Sequence, residues 1–268
     1  MRFSGVDTAL NAAFVASFLF LIFAFTLSAT QIQTFGLIAA GLLFAVFLIG
    51  LFVAAAKMPR KESLLSAALL IAFVFLALRF DYFSSIVLGI FFASAPFAWL
   101  RFAKGNNFSK SLPELGFTNK KLIWNVLIGV FLTIFLFYPV VIAEGLVVRF
   151  VFGITDMENV SSTILDAPIW VGLWAILIVP FAEETFFRAF LVPRIGPILS
   201  AFVFCIGHLG YGSIAELIGT FTIGLLLALL YKWRKSIWAV IAAHFVFNFI
   251  SVGLMYLSKY LPSAVGMG

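Results

Sequence analysis

Residues 169–211 read IWVGLWAILIVPFAEETFFRAFLVPRIGPILSAFVFCIGHLGY. Two apolar runs, 168–192 and 197–211, meet in this stretch, and Pro193, Gly196 and Pro197 between them predict a tight turn. Yet the first run carries Glu183, Glu184 and Arg188, and the second carries His208. An ionisable side chain at membrane depth costs at least about 2.5 kcal/mol, so it tends to be kept where it works. Further along, the apolar run 236–257 holds His244, so both histidines of the chain lie in greasy sequence with the glutamates.

Working outward, the whole composition is that of a membrane protein. Of 268 residues, 64% are hydrophobic and 10% charged, and the mean hydropathy is +1.18. A soluble domain is about half apolar and about a quarter charged. Apolar runs of spanning length, roughly 20 residues, fall at 8–28, 35–56, 63–78, 82–100, 122–147, 168–192, 197–211, 213–231 and 236–257. The expected fold is therefore an all-α polytopic transmembrane helix bundle of about eight or nine spans. It divides into N-terminal helices over 1–150 (about five spans) and a second group over 151–268 (about four). The first run could be a signal peptide, but its length and the absence of a clear cleavage site favour a retained helix.

Charge gives an orientation. With the N-terminus in the cytoplasm and alternating spans, thirteen Lys and Arg fall inside and three (Arg79, Arg149 and Lys259) outside, with Arg188 inside a span. That is a positive-inside pattern with the N-terminus in and the C-terminus out. The 17 basic residues outnumber the 11 acidic ones, but they sit in short inter-helix loops and read as topology signals rather than as a nucleic-acid surface. The single cysteine, Cys205, excludes an intrachain disulfide framework. The basic cytoplasmic loop at 101–121 forms either a short amphipathic element on the inner membrane surface or a solvated connector. Segment 155–167, with Asp156, Glu158 and Asp166, is expected as an outer loop. Trp99, Trp124, Trp233 and Trp238 lie near inner boundaries, as in an aromatic belt. Glu144 and Arg149, near the outer end of their span, read as an interfacial pair or as snorkelling side chains.

At about 1.5 Å rise per residue, Glu183, His208, His244 and Asn248 fall at similar depth on three helices. Glu184 and Arg188, four apart, share a helix face and pair. Glu183 points about 100° away from Glu184, and as a carboxylate without its own cation it is a candidate general base. His244 and Asn248, also four apart, present two hydrogen-bonding groups on one face. Pro180 can kink its helix and open a polar cavity.

The patterns EETFFR (183–188), FCIGH (204–208) and HFVFN (244–248) occur in this order on hydrophobic segments. In them the chain resembles the CPBP family of CAAX-type prenyl endopeptidases and bacteriocin-processing proteins, with motifs EExxxR, FxxxH and HxxxN. The resemblance covers about a third of the chain. It implies an intramembrane glutamic protease with a conical intramembrane cavity in the C-terminal third, open to the cytosol, and neither metal nor cofactor. Glu183 and His208 would activate a water, His244 and Asn248 would stabilise the oxyanion, Glu184 and Arg188 would brace the site, and Phe204 would pack beside it. The implied partners are the lipid bilayer and a membrane-associated peptide or prenylated protein C-terminus, in a prokaryotic cell membrane or the endoplasmic reticulum.

Rival readings rest on the same residues. Glu183, His208 and His244 could hold a zinc ion. Cys205, three residues from His208, could act as a nucleophile. Mid-membrane Glu and His could relay protons in a transporter. A non-catalytic scaffold or immunity protein would have the polar groups satisfy one another.

Overall fold

The computed structural model describes residues 82–118 and 120–260. The first three expected spans lie outside the described residues. The described chain is helical because backbone in hydrocarbon must satisfy its own hydrogen bonds. Helix α1 spans Tyr82–Lys104, α2 Phe108–Glu114 and α3 Leu122–Phe150. Then come α4, Met157–Asp166, and α5, Ile169–Leu177. Helix α6, Val179–Glu183, continues as a π-helical stretch, Glu184–Leu191. It is followed by α7, Val192–Ile206, α8, Ile214–Arg234, and α9, Ile237–Tyr260. Among the described residues five helical runs are long and apolar enough to cross a membrane, or six if the bent pair α4–α5 is one span.

The turn expected at Gly196 is present. Gly196 has φ 85° inside the helical run, in the left-handed region that a Cβ disfavours. Beyond it the chain folds back on the π-helical stretch. Ser200 Oγ donates to the Phe187 carbonyl, and the rings of Phe187 and Phe204 meet edge-on at 5.1 Å. The single span expected over 168–192 is instead divided at Ile178, where α5 ends and α6 begins.

One end of the bundle gathers the end of α1, the start of α3, the Gly196 turn and the α8–α9 connection. Arg194 stacks over Trp99 at 4.2 Å, Arg234 donates twice to Asn125 Oδ1, and the Ile237 amide donates to the Gly116 carbonyl. The loop at this end is a packed element, not a solvated connector: Leu115 is buried and Phe117 meets Phe181 and Trp238. Of the four tryptophans expected at the interface, Trp124 and Trp233 are exposed, whereas Trp99 is buried in the core, where its indole meets Phe190 edge-on.

At the opposite end the expected outer loop is helical. Asp156 accepts from the Ser213 hydroxyl and from the amides of Ile214 and Ala215, so it caps α8. Asn159 donates to the Gly212 carbonyl, and Tyr256 and Lys259 donate to the carbonyls of Ile164 and Leu165. Helix α4 thus lies across this end from the start of α8 to the end of α9.

Helices α3 and α9 cross closely through small residues, the means by which membrane helices approach each other. A Cβ on Gly129 would lie 2.2 Å from the Ala239 carbonyl oxygen. Nearby, the Thr133 hydroxyl bridges the carbonyls of Gly129 and Ala243, next to His244. The obstacle at Gly129 is backbone, which cannot swing aside, so Gly129→Ala must force the helices apart. It is expected to destabilise by about 1–3 kcal/mol, read as thermal unfolding in detergent. Unchanged unfolding would mean that the crossing tolerates separation.

Candidate active site

Three helices bring the expected polar residues together. The pair predicted from spacing forms: Arg188 Nη1 lies 2.8 Å from Glu184 Oε1, with both side chains fully buried. Arg188 also donates to the Gly224 carbonyl at 3.4 Å and stacks its guanidinium 4.3 Å from the centre of the Phe204 ring. Phe204 therefore does more than fill space, since its ring also lies against His208 and meets His244 edge-on.

His244 joins the two halves of the site. Its Nδ1 donates to Glu184 Oε1 at 2.7 Å, which fixes the ring. Nε2 then lies 3.9 Å from Glu183 Oε2. That gap is long for a direct bond and suits a bridging group. Among the described residues no hydrogen bond closes on Glu183, and its side chain is 14% exposed where that of Glu184 is 0%. The two adjacent glutamates are thus unlike: Glu184 is locked in a buried network and Glu183 is presented to a cavity. They stand at the start of the π-helical stretch, a winding often found at functional sites.

His208 stands at the N-terminus of a short 3-10 turn, Leu209–Tyr211, where its carbonyl accepts from the Tyr211 amide; its Nδ1 donates to the Phe204 carbonyl at 3.1 Å, leaving Nε2 for another partner. Asn248 is less free than its spacing suggested, because Nδ2 donates to the Ala175 carbonyl at 2.9 Å. One amide hydrogen therefore ties α9 to α5, and one remains. Cys205 is buried, and its thiol is directed at the Leu217 carbonyl on α8. It is not among the residues that line the cavity. Among the described residues no three His, Cys, Asp or Glu side chains group as metal ligands.

The cavity measures about 980 Å3, and Glu183, His208, His244 and Asn248 all line it. Sequence reasoning missed other polar groups in its wall. Glu144 does not pair with Arg149; it accepts from the Thr222 hydroxyl and faces the cavity. Tyr138 donates to the Phe247 carbonyl at 2.7 Å and bonds the Ser251 hydroxyl. Glu216, in the first turn of α8, also lines the cavity.

Residues 165–250 match the model of the Rce1-like family, described as type II CAAX prenyl endopeptidase Rce1-like. That segment is similar to the endopeptidase family, which supports the resemblance carried by the three motifs. The matched segment begins at the end of α4 and takes in every motif residue, from Glu183 to Asn248. No curated protein and no solved structure matches the chain. The matched segment covers about a third of the sequence, and the helices of spanning length around it make this an integral membrane protein with an Rce1-like segment.

Proposed function

We propose that the protein is an intramembrane glutamic peptidase that hydrolyses a peptide bond with a water activated by Glu183 and His208. The observation that carries this reading is the contrast between the two glutamates. Glu184 is spent on Arg188 and His244, whereas Glu183 faces the cavity without a hydrogen-bond partner among the described residues. A general base needs that freedom, together with reach to the proton it takes.

In the proposed reaction the water sits between the Glu183 carboxylate and Nε2 of His208, whose other nitrogen is held by the Phe204 carbonyl. Glu183 takes a proton as the water oxygen attacks the scissile carbonyl. The oxyanion then accepts from the spare amide hydrogen of Asn248 and from Nε2–H of His244, whose ring acts as the imidazolium in this step because Nδ1 also donates to Glu184. A donor placed in this way contributes about 3 kcal/mol. Glu183 returns its proton to the leaving amine, the C–N bond breaks, and the carboxylate is regenerated. Glu184, Arg188 and Phe204 touch no reacting atom; they hold His244 and His208 in place. A scaffold reading, in which the polar groups only satisfy one another, accounts for Glu184 and Arg188 but not for the open Glu183.

The test is cleavage of peptide reporters by the purified full chain in detergent, with one arm farnesylated and one bearing no lipid. Wild-type protein is expected to cut at least one arm, and to keep doing so after exhaustive chelation. His208→Ala is expected to remain folded and lose the activity. Cleavage of neither arm would count against the peptidase reading, and loss on chelation would replace the water-activating pair with a metal.

A further inference from the structure

The side of the membrane on which the cavity opens can be read from charge and fold together, and it bears on the substrate class of the peptidase reading, on which this inference rests. Among the described residues, those that line the cavity lie toward the α4 end of the bundle. Helix α3 contributes from Tyr138 onward, α8 only from its first half, and α9 only from His244 to Met255. Helix α4 roofs the space with Met157, Val160, Thr163 and Ile164. Toward the other end the cavity is stopped by a packed apolar layer, in which Phe190, Leu227, Ile237 and Val240 are each at most 2% exposed.

The two ends differ sharply in charge. The closed end holds Arg101, Lys104, Lys110, Lys120, Lys121, Arg194, Lys232, Arg234 and Lys235. The contacts of Arg194 with Trp99 and of Arg234 with Asn125 show that these segments share one face. At the open end the described basic residues are Arg149 and Lys259, set among Asp156, Glu158 and Asp166. Short loops rich in Lys and Arg stay in the cytoplasm, which puts the closed end inside. The family resemblance implies a cavity open to the cytosol, and the arrangement of this chain opposes it.

We infer that the cavity opens on the extracytoplasmic face, so that the substrate is a membrane-tethered peptide presented outside the cytoplasm and not a cytosolic prenylated C-terminus. The roof supplied by α4 makes the wall of the entrance out of residues from the outer segment. The bilayer side from which a peptide reaches Glu183 is then the side on which α4 lies.

Two measurements test this separately from the chemistry. Single cysteines are introduced as Ser162→Cys, exposed on α4, and Ser109→Cys, exposed on α2. Sealed right-side-out vesicles are treated with a charged, membrane-impermeant maleimide, with the parental chain and its buried Cys205 as background. The expected result is labelling of Ser162→Cys in sealed vesicles and of Ser109→Cys only after permeabilisation. The reverse pattern overturns the inference. In the second measurement, a single-span anchor displays the same reporter peptide on the outer or the inner side of cells expressing the full chain. Loss of the outer reporter alone, dependent on Glu183, supports the inference; loss of the inner reporter alone overturns it. If Ser162→Cys labels from outside and neither reporter is cut, the sidedness stands and the peptidase reading fails.

Discussion

Glu183→Gln is expected to reduce peptide hydrolysis by about a thousandfold or more while leaving the fold intact. The substitution keeps the shape of the side chain and removes its ability to take a proton. General acid–base catalysis by one placed group contributes about 10²–10⁴-fold, and Glu183 is asked both to activate the water and to return the proton to the amine. The structural cost is small for a specific reason. Among the described residues no hydrogen bond closes on the Glu183 carboxylate, and Nε2 of His244 lies 3.9 Å away. An amide there removes a desolvated charge and strands no partner, so thermal unfolding in detergent should stay level or shift upward. The same change at Glu184 should behave differently, because that carboxylate holds both Arg188 and His244. Hydrolysis by Glu183→Gln within about tenfold of wild type would remove Glu183 from the role of base.

The parts of this molecule that could be read from sequence are those governed by local spacing or by the cost of charge in lipid. Glu184 and Arg188 lie four apart, and helix geometry alone brings them together. The turn at Gly196 is written in Pro193, Gly196 and Pro197, and the structure places Gly196 at a positive φ there. Groups that find partners only across helices were not legible. Glu144 stands five residues before Arg149, so an interfacial pair is the natural expectation, but Thr222 on α8 takes its carboxylate instead. Asn248 looked free beside His244 because nothing in the sequence shows that the Ala175 carbonyl lies opposite it. Trp99 was misplaced for a similar reason: position near a helix end suggests the interface, whereas Phe190 and Arg194 arrive from another helix to cover it. Helix α4 was hidden by its polarity, since its buried Val160 gains meaning only when the cavity beneath it is known.

The largest effect on stability is expected at Arg188. Its guanidinium is fully buried, bonded to Glu184 at 2.8 Å and stacked on Phe204 at 4.3 Å. Arg188→Met keeps much of the volume and removes the charge, leaving the Glu184 carboxylate at 0% exposure with His244 as its remaining partner. Breaking a buried pair from one side costs about 3–5 kcal/mol, because the carboxylate loses its guanidinium where no water can replace it. The double variant Glu184→Gln with Arg188→Met removes both charges and should recover a large part of that loss. Such non-additivity is what a direct pair produces, and a purely steric role for Arg188 would not. Hydrolysis should not recover in parallel. With Glu184 changed to an amide, Nδ1 of His244 loses its carboxylate acceptor, and the ring that presents Nε2 to Glu183 is no longer fixed. Unfolding and turnover measured on the three proteins therefore separate the two functions of the pair. Losses in stability that simply add would show that Arg188 and Glu184 act independently, and the brace would then have to be sought in the contact between Arg188 and Phe204.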